Sequence, residues 1–208
     1  MPHRLASFTF LFLLITGILI ASDVEATGKR VLVLGDSIAE GLGVARDEAF
    51  PAVLQKWLAE KGHPEAILIN AGVSGSTTAS GVARLRWQLQ NKPDIVLIEL
   101  GANDMLRGLP VEQAKKNLSD MIALARREHM KVLLAGMKVP PNYGAAYSRA
   151  FERIYPDLAR QYHVPLVPFL LEGVAGHSDL NQDDGLHPTA RGQQQVARNI
   201  LPYLLPLL

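Results

Sequence analysis

The chain has 208 residues, of which 20% are charged, a formal net charge of +1 and no cysteine. A near-neutral balance without a basic cluster excludes the electrostatic footprint of a nucleic-acid-binding protein. The missing cysteine removes thiolate metal sites, cysteine nucleophiles and disulfides, so stability has to come from core packing.

Residues 1–26 read as a targeting segment. His3 and Arg4 precede an apolar run from Phe8 to Ile20, and Val24 and Ala26 stand where a signal peptidase reads small residues. Cleavage is expected between Ala26 and Thr27. The apolar run is shorter than the ~20 residues that span a bilayer, which weighs against a retained anchor. Residues 27–208 then form a single domain, long enough for a full core. No repeat, low-complexity stretch or long linker divides it.

This domain holds five short apolar runs rich in β-branched residues: Arg30–Leu34, Ala66–Ile69, Ile95–Leu100, Val132–Ala135 and Val164–Val167. They are continuous rather than alternating, as in strands covered by helices on both faces. Between them the period becomes helical. Phe50, Val53, Leu54, Trp57 and Leu58 form one such set, and Val111, Ala114, Leu118, Met121, Ile122 and Ala125 a second. Tyr147, Phe151, Ile154, Leu158 and Tyr162 form a third, and Val196, Ile200, Leu201 and Leu204 a fourth, with a less regular helix over 77–90. Pro156 and Pro202 are expected to kink or interrupt the last two sets. The alternation predicts an α/β domain with a parallel sheet.

The turns after the first three strands carry the chemistry: Gly35-Asp36-Ser37-Ile38, then Asn70-Ala71-Gly72-Val73-Ser74-Gly75, then Gly101-Ala102-Asn103-Asp104. In a parallel sheet all three turns reach the carboxyl edge, where open α/β folds bind ligands. Ser37 offers a hydroxyl nucleophile, Gly72 a backbone N–H close to a ligand, and Asn103 a side-chain amide donor. Each also has a plain structural reading: Ser37 as a helix cap, Gly72 as a turn glycine, Asn103 as a turn or capping residue.

A serine needs a base. His187 stands apart because Asp184-Gly185-Leu186-His187-Pro188 puts a carboxylate three residues before an imidazole on a glycine-containing turn. Asp184 can accept the Nδ1 proton and hold Nε2 toward the serine, the orienting role of a triad acid. His177 is the rival base, with Asp179 too close in sequence for the same arrangement. Asp36 and Asp104 are expected to hydrogen-bond loop backbone. Glu99, in an otherwise apolar strand, must face a polar partner or the sheet's edge.

In their order and spacing, these turns resemble the blocks of the SGNH (GDSL-type) hydrolases. Ser37, Gly72, Asn103 and His187 match the family's serine, glycine, asparagine and histidine; Asp184 matches the triad acid, and Ile38 replaces the name-giving leucine. The stretches from Leu100 to Gly108, from Pro141 to Gly144, from Ile154 to Pro156 and from Gln182 to Gly185 look most like the periplasmic branch of multifunctional acyl-CoA thioesterases, lysophospholipases and arylesterases. The resemblance implies a flavodoxin-like three-layer α/β/α sandwich with a five-stranded parallel sheet of order 2-1-3-4-5. It also implies a serine esterase or thioesterase without metal or cofactor, acting on a small-molecule or lipid acyl ester as an exported bacterial monomer. Ser37, Gly72 and Asn103 would form the oxyanion hole, and Leu106, Arg107, Leu109 and Tyr143 the substrate pocket. Two other functions fit the same turns: a carbohydrate acetylesterase, or an inactive domain of this type that binds an acyl or glycan ligand.

Overall fold

The computed structural model describes residues 28–208; the expected signal segment and its cleavage point lie outside the described residues. Five strands, β1 (Arg30–Gly35), β2 (Ile67–Asn70), β3 (Ile95–Glu99), β4 (Lys131–Ala135) and β5 (Leu166–Val167), form one sheet in the order β2-β1-β3-β4-β5. Every pairing is parallel. This is the expected flavodoxin-like order. The order reverses at β1, so the carboxyl ends of β1 and β3 open a crevice between them.

Among the described residues eight α-helices accompany the strands, α8 following the last of them: α1 (Ser37–Glu40), α2 (Phe50–Glu60), α3 (Gly81–Gln88), α4 (Ala102–Leu106), α5 (Val111–Arg127), α6 (Ala145–Glu152), α7 (Ile154–Tyr162) and α8 (Ala190–Leu204). α2 packs against α8, while α3 packs on α5 and α5 on α7, which makes the two helical layers. The core lies between them. β1 from Val31 to Leu34 and β3 from Ile95 to Ile98 are wholly buried, as their unbroken apolar sequences require. β2 is less buried, with Ile67 at 44% exposure, because it is an edge strand.

The first four strands match their apolar runs to within one residue at each end, and two differences are larger. Apolar character predicts the fifth strand over Val164–Val167, but only Leu166 and Val167 pair. Pro165 and Pro168 flank this pair, and neither has an N–H to give a ladder. The third helical set divides into α6 and α7 at Arg153. Pro156 accounts for the break: its ring would meet the carbonyl of Glu152 in a continuous helix, whereas in the first turn of α7 its missing N–H costs little. Pro202, by contrast, does not interrupt α8, which continues to Leu204.

Candidate active site

β1 delivers its last residue, Gly35, to the sheet edge, and the chain turns at once into α1. Asp36 caps this short helix, its Oδ1 accepting the Ile38 N–H at 3.0 Å. Ser37 is therefore the first helical residue, a position whose N–H has no partner within the helix.

The candidate base arrives from the other end of the chain. Asn181 anchors the segment before α8 by donating from Nδ2 to the carbonyls of Val174 (2.6 Å) and His177 (2.9 Å). Gln182 ties the segment to the loop after α1, donating from Nε2 to the Leu42 carbonyl at 2.7 Å. The turn so held places His187 Nε2 2.9 Å from Ser37 Oγ. On its other side His187 Nδ1 lies 2.5 Å from Asp184 Oδ2, while Asp184 Oδ1 accepts the N–H groups of Leu186 (2.9 Å) and His187 (3.0 Å). The hydrogen bond from the His187 ring, with those two backbone donors, holds the Asp184 carboxyl down at about 2. It is a carboxylate throughout the neutral range, which assigns the histidine proton to Nδ1 and leaves Nε2 to accept from Ser37. The rival His177 does not line this cavity; its backbone serves the Asn181 anchor, and Asp179 faces Arg191 at 3.6 Å.

Asn103, on α4, donates from Nδ2 to Asp36 Oδ2 at 3.2 Å. One amide hydrogen is so used and the other is free for a ligand. Asp104 braces the same helix from below: its carboxylate accepts both the Thr78 N–H (2.8 Å) and the Thr78 hydroxyl (2.6 Å). Both Asp36 and Asp104 thus hydrogen-bond backbone, though at the start of helical turns and not in open loop: Asp36 at Ile38 of α1 and Asp104 at Thr78. Glu99 finds its polar partner inside the molecule, on a central strand and not at an edge, through the Asp36 N–H at 3.1 Å.

Burial raises the Asp36 carboxyl to about 6, against the opposing help of the Ile38 and Asn103 donors. A carboxyl held above its unfolded value favours the folded state when protonated, and that contribution is lost as pH rises through about 4 to 6. Asp36→Asn removes the titration. The thermal midpoint of the variant minus that of the parent is therefore expected to grow more positive from pH 4 to pH 6.5 and then level. A difference that is flat or falls across this range, measured by calorimetry, would contradict the assignment.

Ser37, Asn103 and His187 open together into a cavity of about 550 Å³. Beyond that polar end the wall is mainly apolar, with Met105, Leu106, Met137, Val139, Phe169 and Leu171, and Lys138 and Asn181 also line the cavity. Of the four pocket residues expected from sequence, only Leu106 lines it. Arg107 donates instead to the Gly75 carbonyl (2.8 Å), Tyr143 donates to the Leu106 carbonyl (3.3 Å), and the Leu109 carbonyl accepts from Tyr147 (3.1 Å). These three brace the loops around α4. Apart from Met105 on α4, the apolar wall residues missed come after β4 and β5, whose ends reach the same edge; applying the carboxyl-edge rule to all five strands would have found Met137, Val139 and Phe169.

Gly72 also stands elsewhere than expected. It does not line the cavity, and its N–H donates to Asn70 Oδ1 at 2.9 Å. A Cβ there would lie 2.2 Å from the Glu40 N, so the glycine allows the turn after β2 to press against α1. The correction rests on where that N–H goes: a donor already held by Asn70 is not free for an oxyanion. Gly75, in the same turn, is also outside the cavity lining, but its N–H has no hydrogen-bond acceptor among the described residues, and Arg107 draws its carbonyl toward α4.

Comparison with known proteins identifies the family and the fold. The model of the GDSL-like lipase/acylhydrolase family matches residues 33–195. Esterase TesA of Pseudomonas aeruginosa is 45% identical over 185 residues, covering 88% of this chain and 92% of that protein. Thioesterase 1/protease 1/lysophospholipase L1 of Escherichia coli K12 is 37% identical, covering 88% and 86%. A crystal structure of TesA superposes with a TM-score of 0.83 at 46% identity, covering 86% of this chain and all of that one.

Proposed function

Because the chain belongs to the GDSL-like lipase/acylhydrolase family and is an ester hydrolase, we propose that it cleaves acyl esters and thioesters through an acyl-enzyme on Ser37. The observation that carries this reading is the 2.9 Å contact between Ser37 Oγ and His187 Nε2 in a mainly apolar cavity. Ser37 Oγ attacks the acyl carbonyl while His187 Nε2 takes its proton. Asp184 accepts the Nδ1 hydrogen throughout and stabilises the imidazolium. The Ser37 N–H and the free Asn103 amide hydrogen receive the developing oxyanion, with Gly75 as third donor in place of Gly72. Collapse of the tetrahedral intermediate breaks the bond to the leaving alcohol or thiol, which takes the proton from His187. Water then repeats the cycle on the acyl-enzyme and returns the free acid.

Asn103→Ala is expected to lower kcat by roughly 10²–10³, the usual cost of one oxyanion donor. A loss confined to KM would show that Asn103 only binds substrate.

The apolar wall favours an acyl chain over the acetyl group of a carbohydrate acetylesterase. In a series of p-nitrophenyl esters from acetyl to palmitoyl, kcat/KM is expected to rise about fourfold per methylene until the chain outgrows the cavity, since each buried methylene contributes about 0.8 kcal/mol. A monotonic fall from acetyl onward would favour the acetylesterase instead. An enzyme with no turnover anywhere in the series would be a binding module.

Residues 1–26 serve, in this proposal, as a cleavable signal that exports the enzyme to the periplasm or beyond. Intact-mass measurement of the exported protein tests this, with Thr27 expected at its N-terminus. Nucleophile, base and carboxylate are complete within one chain, so the proposed catalysis needs no second copy. Acyl-CoA is a cytoplasmic metabolite, so for an exported enzyme a lipid or aryl ester is the natural target.

A further inference from the structure

Glu99 takes no part in acyl transfer, yet it lies fully buried in the central strand of the sheet. It is paired in register with Gly35, the residue that hands the chain from β1 to the nucleophile turn. Its Oε2 accepts the N–H of Asp36, the residue immediately before Ser37, at 3.1 Å. A Cβ at position 35 would stand 2.3 Å from that same oxygen, so the glycine is what lets the carboxyl reach the turn. From α3, Arg84 donates to the carbonyls of Gly35 and Ala71, closing the underside of the turn. Arg84 Nη1 and Glu99 Oε1 are both buried without partners among the described residues.

Such a group is costly. An unpaired buried carboxylate is strongly disfavoured, and an apolar side chain would fit the rest of the strand better. What the glutamate does that an apolar residue cannot is hold the Asp36 N–H. The peptide so held leads into Ser37, whose Oγ must meet the acyl carbon and whose N–H must meet the oxyanion.

We propose that Glu99 is a positioning residue for the nucleophile, fixing the Asp36–Ser37 backbone from beneath through its Oε2 and so setting the aim of the Ser37 hydroxyl and N–H. The inference rests on Ser37 being the nucleophile. Glu99 serves as a neutral acceptor: burial first, and the nearby Asp36 carboxylate second, push its carboxyl well above the usual range, which the Asp36 and Ala39 backbone N–H groups and Arg84 offset only in part. A carboxamide has the same shape and the same acceptor oxygen. Glu99→Gln should therefore replace it, whereas Glu99→Leu keeps the bulk and loses the acceptor, and Glu99→Asp keeps the carboxyl and shortens its reach.

The test measures four quantities on the exported enzyme and these variants. They are the number of sites titrated by a fluorophosphonate, the rate constant of that labelling, and kcat and KM for p-nitrophenyl butyrate. Glu99→Gln is expected within about threefold of the parent. Glu99→Leu is expected to lose about 10²-fold in kcat and in labelling rate per titrated site at unchanged KM, the scale of a nucleophile displaced by about 1 Å. Glu99→Asp should lie between them, and it carries the test if the leucine variant does not fold. Parental kcat per titrated site in Glu99→Leu or Glu99→Asp would overturn the proposal, as would a Glu99→Gln as weak as Glu99→Leu. A Ser37→Ala control that still labels would instead overturn the nucleophile assignment, so the two failures are distinguishable.

Discussion

Ser37→Ala is expected to lower kcat for a p-nitrophenyl ester by roughly 10⁶-fold, the scale found when a triad serine is removed, while leaving the thermal midpoint nearly unchanged. The activity loss arises because no covalent intermediate can form without Oγ. The preserved stability arises from the surroundings. Ser37 Oγ has one hydrogen-bond partner among the described residues, the partly exposed ring of His187, and its loss leaves no buried polar group stranded. The helix cap depends on Asp36, not on Ser37, so α1 retains its start. Residual turnover near the parental rate, in protein shown to be free of contaminating esterase, would remove Ser37 from the mechanism.

His187→Ala is expected to cost about as much, again roughly 10⁶-fold in kcat. In the proposed mechanism the ring both accepts the serine proton and supplies a proton to the leaving group, so its removal disables acylation and deacylation alike. Because serine and histidine act as one unit, the double variant Ser37→Ala/His187→Ala should be no slower than either single variant. Additive losses, with the double variant slower by the product of the two, would show that the residues act independently and that the 2.9 Å contact is incidental. The turn should survive the substitution, because its backbone bonds do not involve the ring. Asp184 still accepts the N–H groups of residues 186 and 187, and the Gln182 N–H still donates to the carbonyl of residue 187.

The parts of the site legible in the sequence are those that depend on chain position alone. Ser37, Asn103 and the Asp184–His187 pair rest on three facts visible in one dimension: which runs are strands, what turn comes after each, and how far a carboxylate stands from an imidazole. A parallel sheet converts those facts into convergence at one edge. Sheet order came with the family resemblance, not from the periodicity, which is silent on which strands are neighbours.

The remainder depended on where individual groups point. Gly72 and Gly75 are three residues apart in one turn, and only the destination of each N–H separates them; the Asn70 side chain that holds the Gly72 N–H has no signature in sequence. Arg107, Leu109 and Tyr143 lie close to the cavity in sequence but spend their polar groups on neighbouring loop backbone. Glu99 is visible as an anomaly in an apolar strand, but its partner emerges only when the register between β1 and β3 sets it against Gly35. The fifth strand is shorter than its apolar run because two prolines limit its pairing, whatever the apolar character of Val164 suggests.

The central claim, that Ser37 is the nucleophile, is tested most directly by the position of a covalent adduct. The enzyme is treated with a fluorophosphonate, digested, and its peptides sequenced by mass spectrometry. The expected result is one phosphonyl group per chain, carried by Ser37 and absent from the Ser37→Ala protein. An adduct on another serine, such as Ser74 or Ser76 in the neighbouring turn, or no adduct in an enzyme that still turns over ester, would contradict it.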